Sequence, residues 1–118
     1  MYDHVGLRVK NLGASARLYA AALAPLGHVL CSEDDKSVGL GPARAPTLWL
    51  HADRAGGGAH VAFRANGRGA VDAFHAAGLA AGARDNGAPG LRSDYSPSYY
   101  AAFLLDLDGN NIEAVYQG

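Results

Sequence analysis

Cysteine is nearly absent: Cys31 stands alone in 118 residues. That excludes an internal disulfide framework and any multi-cysteine metal site. Charge is scarce as well, with 18% Asp, Glu, Lys and Arg and a formal net charge of −1. No basic patch is on offer, so neither nucleic acid nor an anionic membrane is expected as a partner. No apolar run approaches the roughly 18 residues of a membrane span, and the first residues do not read as a signal peptide. The expectation is a cytoplasmic protein of one domain. Large apolar side chains are also few. Hydrophobic residues total 49%, yet alanine and glycine alone fill 40 of the 118 positions. Side-chain layers must therefore be thin, and the few large residues must be well placed.

What the chain does have is a repeat. Residues 4–24, HVGLRVKNLGASARLYAAALA, align with residues 60–80, HVAFRANGRGAVDAFHAAGLA, at a shift of 56 positions. His4/His60, Val5/Val61, Arg8/Arg64 and Gly13/Gly69 match, and these carry more weight than the alanine matches of so alanine-rich a chain. Each copy opens on an alternating strand, at 3–9 and at 60–65. A helix follows each strand. Its apolar stripe is Leu12, Ala16, Tyr19, Ala20 and Leu23 in the first copy, closed by Pro25 and Gly27. In the second copy the stripe is Val71, Phe74, His75 and Leu79, closed near Gly82. Three short strands complete each copy, at 28–33, 37–41 and 47–51, then at 83–86, 100–106 and 111–117. The predicted fold class is α+β: two β-α-β-β-β modules, about 1–55 and 56–118, forming an open eight-stranded mixed sheet that cups a cleft. The segment 86–98, NGAPGLRSDYSPS, reads as a long surface loop. Asp108-Gly109 marks a hairpin turn.

Strand parity places His4, Gly6 and Arg8 on one face, and His60, Ala62 and Arg64 on the matching face of the second copy. In the final strand Glu113 sits among apolar neighbours, where a carboxylate is costly to bury unless paired or bound to a cation. Two neutral imidazoles and a carboxylate are a known divalent-metal set. Parity equally allows Glu113 to form a structural ion pair with Arg8 or Arg64.

The duplicated unit, the opening YDHVGLRVKNLGASARLYAAALAPLG, the mid-chain AHVAFRA and the closing FLLDLDGNNIEAV together resemble the vicinal oxygen chelate superfamily. That superfamily includes glyoxalase I, bleomycin-resistance proteins, fosfomycin-resistance transferases and extradiol dioxygenases. The likeness covers nearly the whole chain, and D-x-D-G-N-x-I-E is its most specific part. It implies metal ligands at His4, His60 and Glu113, with Glu113 also the candidate catalytic carboxylate. It further implies a small-molecule substrate with neighbouring oxygens, chemistry of lyase or dioxygenase type, and a homodimer whose cleft two chains can share. Iron(II), manganese(II), nickel(II) and zinc(II) all remain open, because ligand type does not choose among them. The competing expectation is a metal-free binding protein of the bleomycin-resistance kind.

Departures from the family pattern limit the activity. Trp49 occupies the position where glyoxalase I carries a glutamate, and it can neither ligate nor act as a base. Arg8 does match a glutathione-contacting arginine of that enzyme. Phe103 replaces the tyrosine that dioxygenase and fosfomycin relatives carry ten residues before the glutamate. Gly6 replaces the fosfomycin enzymes' threonine. Two modules are too few for the four-module dioxygenases. Candidate substrate-binding residues are Arg8, Trp49, Arg64, Tyr95, Tyr99, Tyr100 and Phe103, with one of Tyr99 and Tyr100 expected to line the cavity.

Overall fold

The computed structural model describes residues 2–43 and 45–118. Chain order is β1 (Val5–Val9), α1 (Leu12–Leu23), a short 3-10 turn (Ala24–Leu26), β2 (His28–Glu33), β3 (Ser37–Pro42) and β4 (Leu48–Ala52). Then come β5 (His60–Arg64), α2 (Arg68–Ala80), β6 (Arg84–Leu91), β7 (Tyr99–Leu105) and β8 (Asn111–Gln117). Both copies of the repeat are thus β-α-β-β-β. The eight strands form two mixed sheets of four, ordered β1-β4-β3-β2 and β5-β8-β7-β6. In each sheet the first strand pairs in parallel with the last, and the remaining pairs are antiparallel. β1 and β5 therefore each end their sheet with one unpaired edge.

Local chemistry accounts for the helix limits. Asn11 caps α1 by accepting a hydrogen bond from the Ala14 amide at 3.0 Å. Pro25 falls in the 3-10 turn that follows, and Gly27 ends it at φ 86°, a left-handed conformation that glycine adopts without strain. The helices pack on each other and each covers its own sheet, so the buried side chains form one continuous cluster. Small residues make this possible. A Cβ on Gly78 of α2 would lie 2.3 Å from Leu104 and 3.6 Å from Ala22 of α1. Gly78, not Leu79, is therefore the buried residue at that point of α2, and Leu79 turns outward.

A second correction concerns the long segment. β6 extends through Leu91 and pairs irregularly with β7, which leaves only 92–98 as a loop. Gly87, at φ 149°, sits where the register shifts, and the Arg92 guanidinium donates to the carbonyls of Ala88 and Gly90 at 2.8 Å each. The glycines and proline that signal a loop here are accommodated by bulges.

The two modules are tied by a buried polar knot. Tyr19 of α1 donates to Asp106 Oδ2 at 2.6 Å, across 87 residues of chain. Asp106 also accepts from the Asn110 amide group at 2.8 Å and from the backbone amides of Asp108 and Asn110. Burial first, then the charge and hydrogen bond of Asp106, push the Tyr19 hydroxyl far above the usual phenol range. Two outward stitches follow: Asp108 Oδ1 accepts from the Lys10 amide at 2.9 Å, and Asn110 Oδ1 from the Ala59 amide at 3.0 Å. By contrast, Ser15 Oγ is buried with no hydrogen-bond partner among the described residues. Tyr19→Phe is expected to lower unfolding free energy by about 2 kcal/mol, the cost of losing a buried bond to a charged group. Ser15→Ala is expected to raise it by about 1 kcal/mol by removing an unsatisfied hydroxyl. Urea titration of both variants checks the two signs.

Candidate metal and substrate site

Each sheet has a helix-covered face and a helix-free face. Leu7, Val9, Leu48, Leu50, Phe63, Leu104, Ile112 and Ala114 point into the core. The residues of opposite parity, including Arg8, Trp49, His60, Arg64, Tyr99, Phe103 and Glu113, occupy the helix-free faces.

On the second sheet, three of these meet. His60 Nε2 lies 3.2 Å from Glu113 Oε1, and the Tyr99 hydroxyl donates to Glu113 Oε2. Glu113 is 3% exposed, whereas His60 is 51% exposed. The other nitrogen of His60, Nδ1, lies 2.9 Å from the Asn111 carbonyl. A carbonyl only accepts, so Nδ1 carries the proton, and a neutral His60 then presents its Nε2 lone pair to the carboxylate. A lone pair and a carboxylate oxygen at that distance require a proton or a cation between them. The donor set, imidazole nitrogen plus carboxylate with a carbonyl behind the imidazole, supplies two ligands of the kind a divalent ion takes. The Tyr99 phenol is pushed up to about 12 by burial, then by the hydrogen bond and charge of Glu113.

His4 is elsewhere. Its Nδ1 lies 2.8 Å from Asp3, and it borders a cavity of about 160 Å3 whose β5 lining is Val61, Ala62 and Phe63, without His60 or Glu113. Within one chain, then, the structure does not bring His4 to His60 and Glu113. No group of three His, Cys, Asp or Glu side chains able to hold a metal is found among the described residues. The ion pair of Glu113 with Arg8 or Arg64, left open by parity, is not formed; His60 is the partner.

The aromatic candidates divide. Tyr99 is on the site face, and Tyr95 packs on it edge-to-face at 5.0 Å. Tyr100 is a correction: its hydroxyl donates to Asp72 of α2 at 2.6 Å, and Arg68 stacks on its ring, which fixes it on the helix side. Phe103 stands directly opposite Glu113 in the β7–β8 register, with Arg92 over its ring at 5.3 Å. Trp49 lies on Gly39, where a Cβ would come within 2.9 Å of the indole. Arg8 is exposed on β1, opposite His51. Sequence reasoning missed the Asn111 carbonyl as the support of His60, although the parallel β5–β8 pairing puts the two residues opposite one another. It also missed Asp106, Asn110 and Tyr19 as the structural content of the D-x-D-G-N motif.

No family model matches the chain, and no curated protein matches it. Solved structures do. A glyoxalase/bleomycin resistance protein from Albidiferax ferrireducens T118 shares 31% identity over 98% of both chains, with a TM-score of 0.87. A glyoxalase/bleomycin resistance protein/dioxygenase family enzyme from Burkholderia phytofirmans PsJN aligns over 98% of both chains at 18% identity and TM-score 0.76. Lactoylglutathione lyase from Agrobacterium tumefaciens aligns over 96% of this chain and 90% of its own at 18% identity, TM-score 0.69. The last two share the fold. The first shows the family: this chain belongs to the glyoxalase/bleomycin resistance proteins of the vicinal oxygen chelate superfamily.

The Tyr99 environment has a pH signature. A phenol held above its ordinary value of about 10 stabilises the fold fully below that pH, and the contribution is lost as pH rises toward about 12. In a tyrosinate absorbance titration of metal-free protein, the difference between wild type and Tyr99→Phe should show a midpoint near about 12. Glu113→Gln should move that step back toward the ordinary value.

Proposed function

We propose that this chain is a divalent-metal-dependent enzyme acting on a small substrate with two neighbouring oxygens, by lyase or dioxygenase chemistry. The observation that carries the reading is the His60–Glu113 pair, with its 3.2 Å gap and the Asn111 carbonyl behind the imidazole. His60 and Glu113 would hold the ion, and His4 of a second copy would complete the set in a homodimer. Three facts support a shared site: the cavity that His4 borders includes neither His60 nor Glu113, β1 and β5 each have an unpaired edge, and both helix-free faces are uncovered among the described residues. Bound there, iron(II), manganese(II), nickel(II) or zinc(II) would act as a Lewis acid on the substrate oxygens. The chain's own residues supply the rest. Tyr99 fixes the carboxylate of Glu113, and Tyr95, Phe103 and Trp49 form apolar walls that orient a small molecule and exclude water.

A second reading, metal-free binding of a small molecule between aromatic walls, is favoured by one observation. Both oxygens of Glu113 already have partners within the chain.

Elemental analysis of protein purified without a histidine tag decides between them. Near-stoichiometric metal, lost in His60→Ala and in Glu113→Ala, is expected. A co-expressed dimer of one His4→Ala chain and one Glu113→Ala chain should recover about half the wild-type content, because one of its two shared sites is intact. Wild-type protein without metal would sink the enzyme reading. A mixed dimer without metal would confine the site to single chains.

A further inference from the structure

The helix-free face of β5 and β8 continues beyond His60 and Glu113 into a cavity of about 570 Å3. It is lined by Arg64, Ala65, Asn66, Val115, Tyr116 and Gln117. Arg64 stands four residues past His60 on the same face, and Val115 and Gln117 two and four past Glu113, while Ala65 and Tyr116 of the lining belong to the core side; the cavity thus lies at the ends of β5 and β8, bordered on one side by the face of the candidate metal site. The lining offers a guanidinium and two amides, and no carboxylate. On the helix-free face of β5, β7 and β8, Glu113 is the sole acid, and His60 and Tyr99 occupy its oxygens. The Arg64 side chain is exposed and forms no ion pair or hydrogen bond among the described residues. The cavity lining itself thus carries one cation and no acidic side chain.

We propose that this cavity binds a carboxylate at the far end of the substrate, with Arg64 as the residue that selects for it. The proposal rests on the reading that the substrate's neighbouring oxygens address His60 and Glu113. Four strand residues separate the α-carbons of His60 and Arg64 by about 13 Å. Less the lengths of the two side chains, that separation matches one substituted ring or a short acyl chain. A single planar guanidinium matches a carboxylate in a two-point fork. A phosphate dianion would call for further cations, and the lining has none.

The test uses two isosteric probes, 3,4-dihydroxybenzoate and its neutral amide, titrated by calorimetry into the protein as purified and after dialysis against a chelator. Wild-type protein is expected to bind the acid about tenfold more tightly than the amide, a difference of one charge-assisted contact. Arg64→Gln should bring the two affinities together with the amide unchanged. Arg17→Gln, which removes the same charge from α1, should leave the preference intact. Equal affinities in the wild type, absence of acid binding, survival of the preference in Arg64→Gln, or its loss in Arg17→Gln would overturn the proposal. So would tighter binding of 3,4-dihydroxyphenyl phosphate than of the acid. The underlying reading fails separately: if chelation and Glu113→Ala leave the affinity of the amide unchanged, the oxygens do not address the metal site, whatever the acid-to-amide ratio.

Discussion

The structure hangs on Asp106. Its carboxylate organises the turn between β7 and β8 through two backbone amides and the Asn110 side chain, then takes the Tyr19 hydroxyl from the other module. One buried acid therefore sets the entry to β8 and the placement of α1 against the second sheet. A core so rich in alanine and glycine cannot fix that relation by interlocking large side chains. Directional hydrogen bonds in a dry interior do it instead, because each one misplaced would leave a buried polar group unsatisfied.

The site inherits its geometry from this anchor. Once the turn is fixed, β8 enters parallel to β5 with Asn111 opposite His60 and Glu113 opposite Ala62. The small Ala62 side chain leaves room for the His60 ring to reach along the strand toward Glu113. The same packing that joins α1 to α2 keeps both helix-free faces away from the core, with β1 and β5 left as unpaired edges. Stability and function are thus assigned to opposite faces of the same strands.

Much of this was legible in the chain because β-strand parity is strict. The faces of His60, Arg64, Glu113 and Phe103 follow from alternation alone. Repeat positions told which strand precedes which helix. Three things were not legible, each for a physical reason. Parity says nothing about how two modules pack, so it could not reveal that His4 lies apart from His60 and Glu113 within one chain. Adjacent tyrosines point to opposite faces, and only the β7 register decides that Tyr99 meets Glu113 while Tyr100 meets Asp72. Glycine and proline in 84–91 signal a loop, yet bulges and the Arg92 guanidinium let that segment pair as a strand.

Tyr99 also bears on the family departure at Phe103. The relatives' tyrosine would stand directly opposite Glu113, where the phenyl ring offers no hydrogen bond. Here the hydroxyl comes from four residues earlier on the same face of β7, and it lands on the carboxylate. The phenol of this chain thus stands behind Glu113, a metal-ligand candidate. A hydroxyl that holds Oε2 leaves Oε1 to face Nε2 of His60, so the carboxylate is oriented by the chain's own side chains. Orientation of this kind reduces the reorganisation needed to bind a cation or a substrate. In the proposed function the apolar wall formed by Phe103 would read the shape of the substrate, and charge would be left to Arg64, farther along the same face.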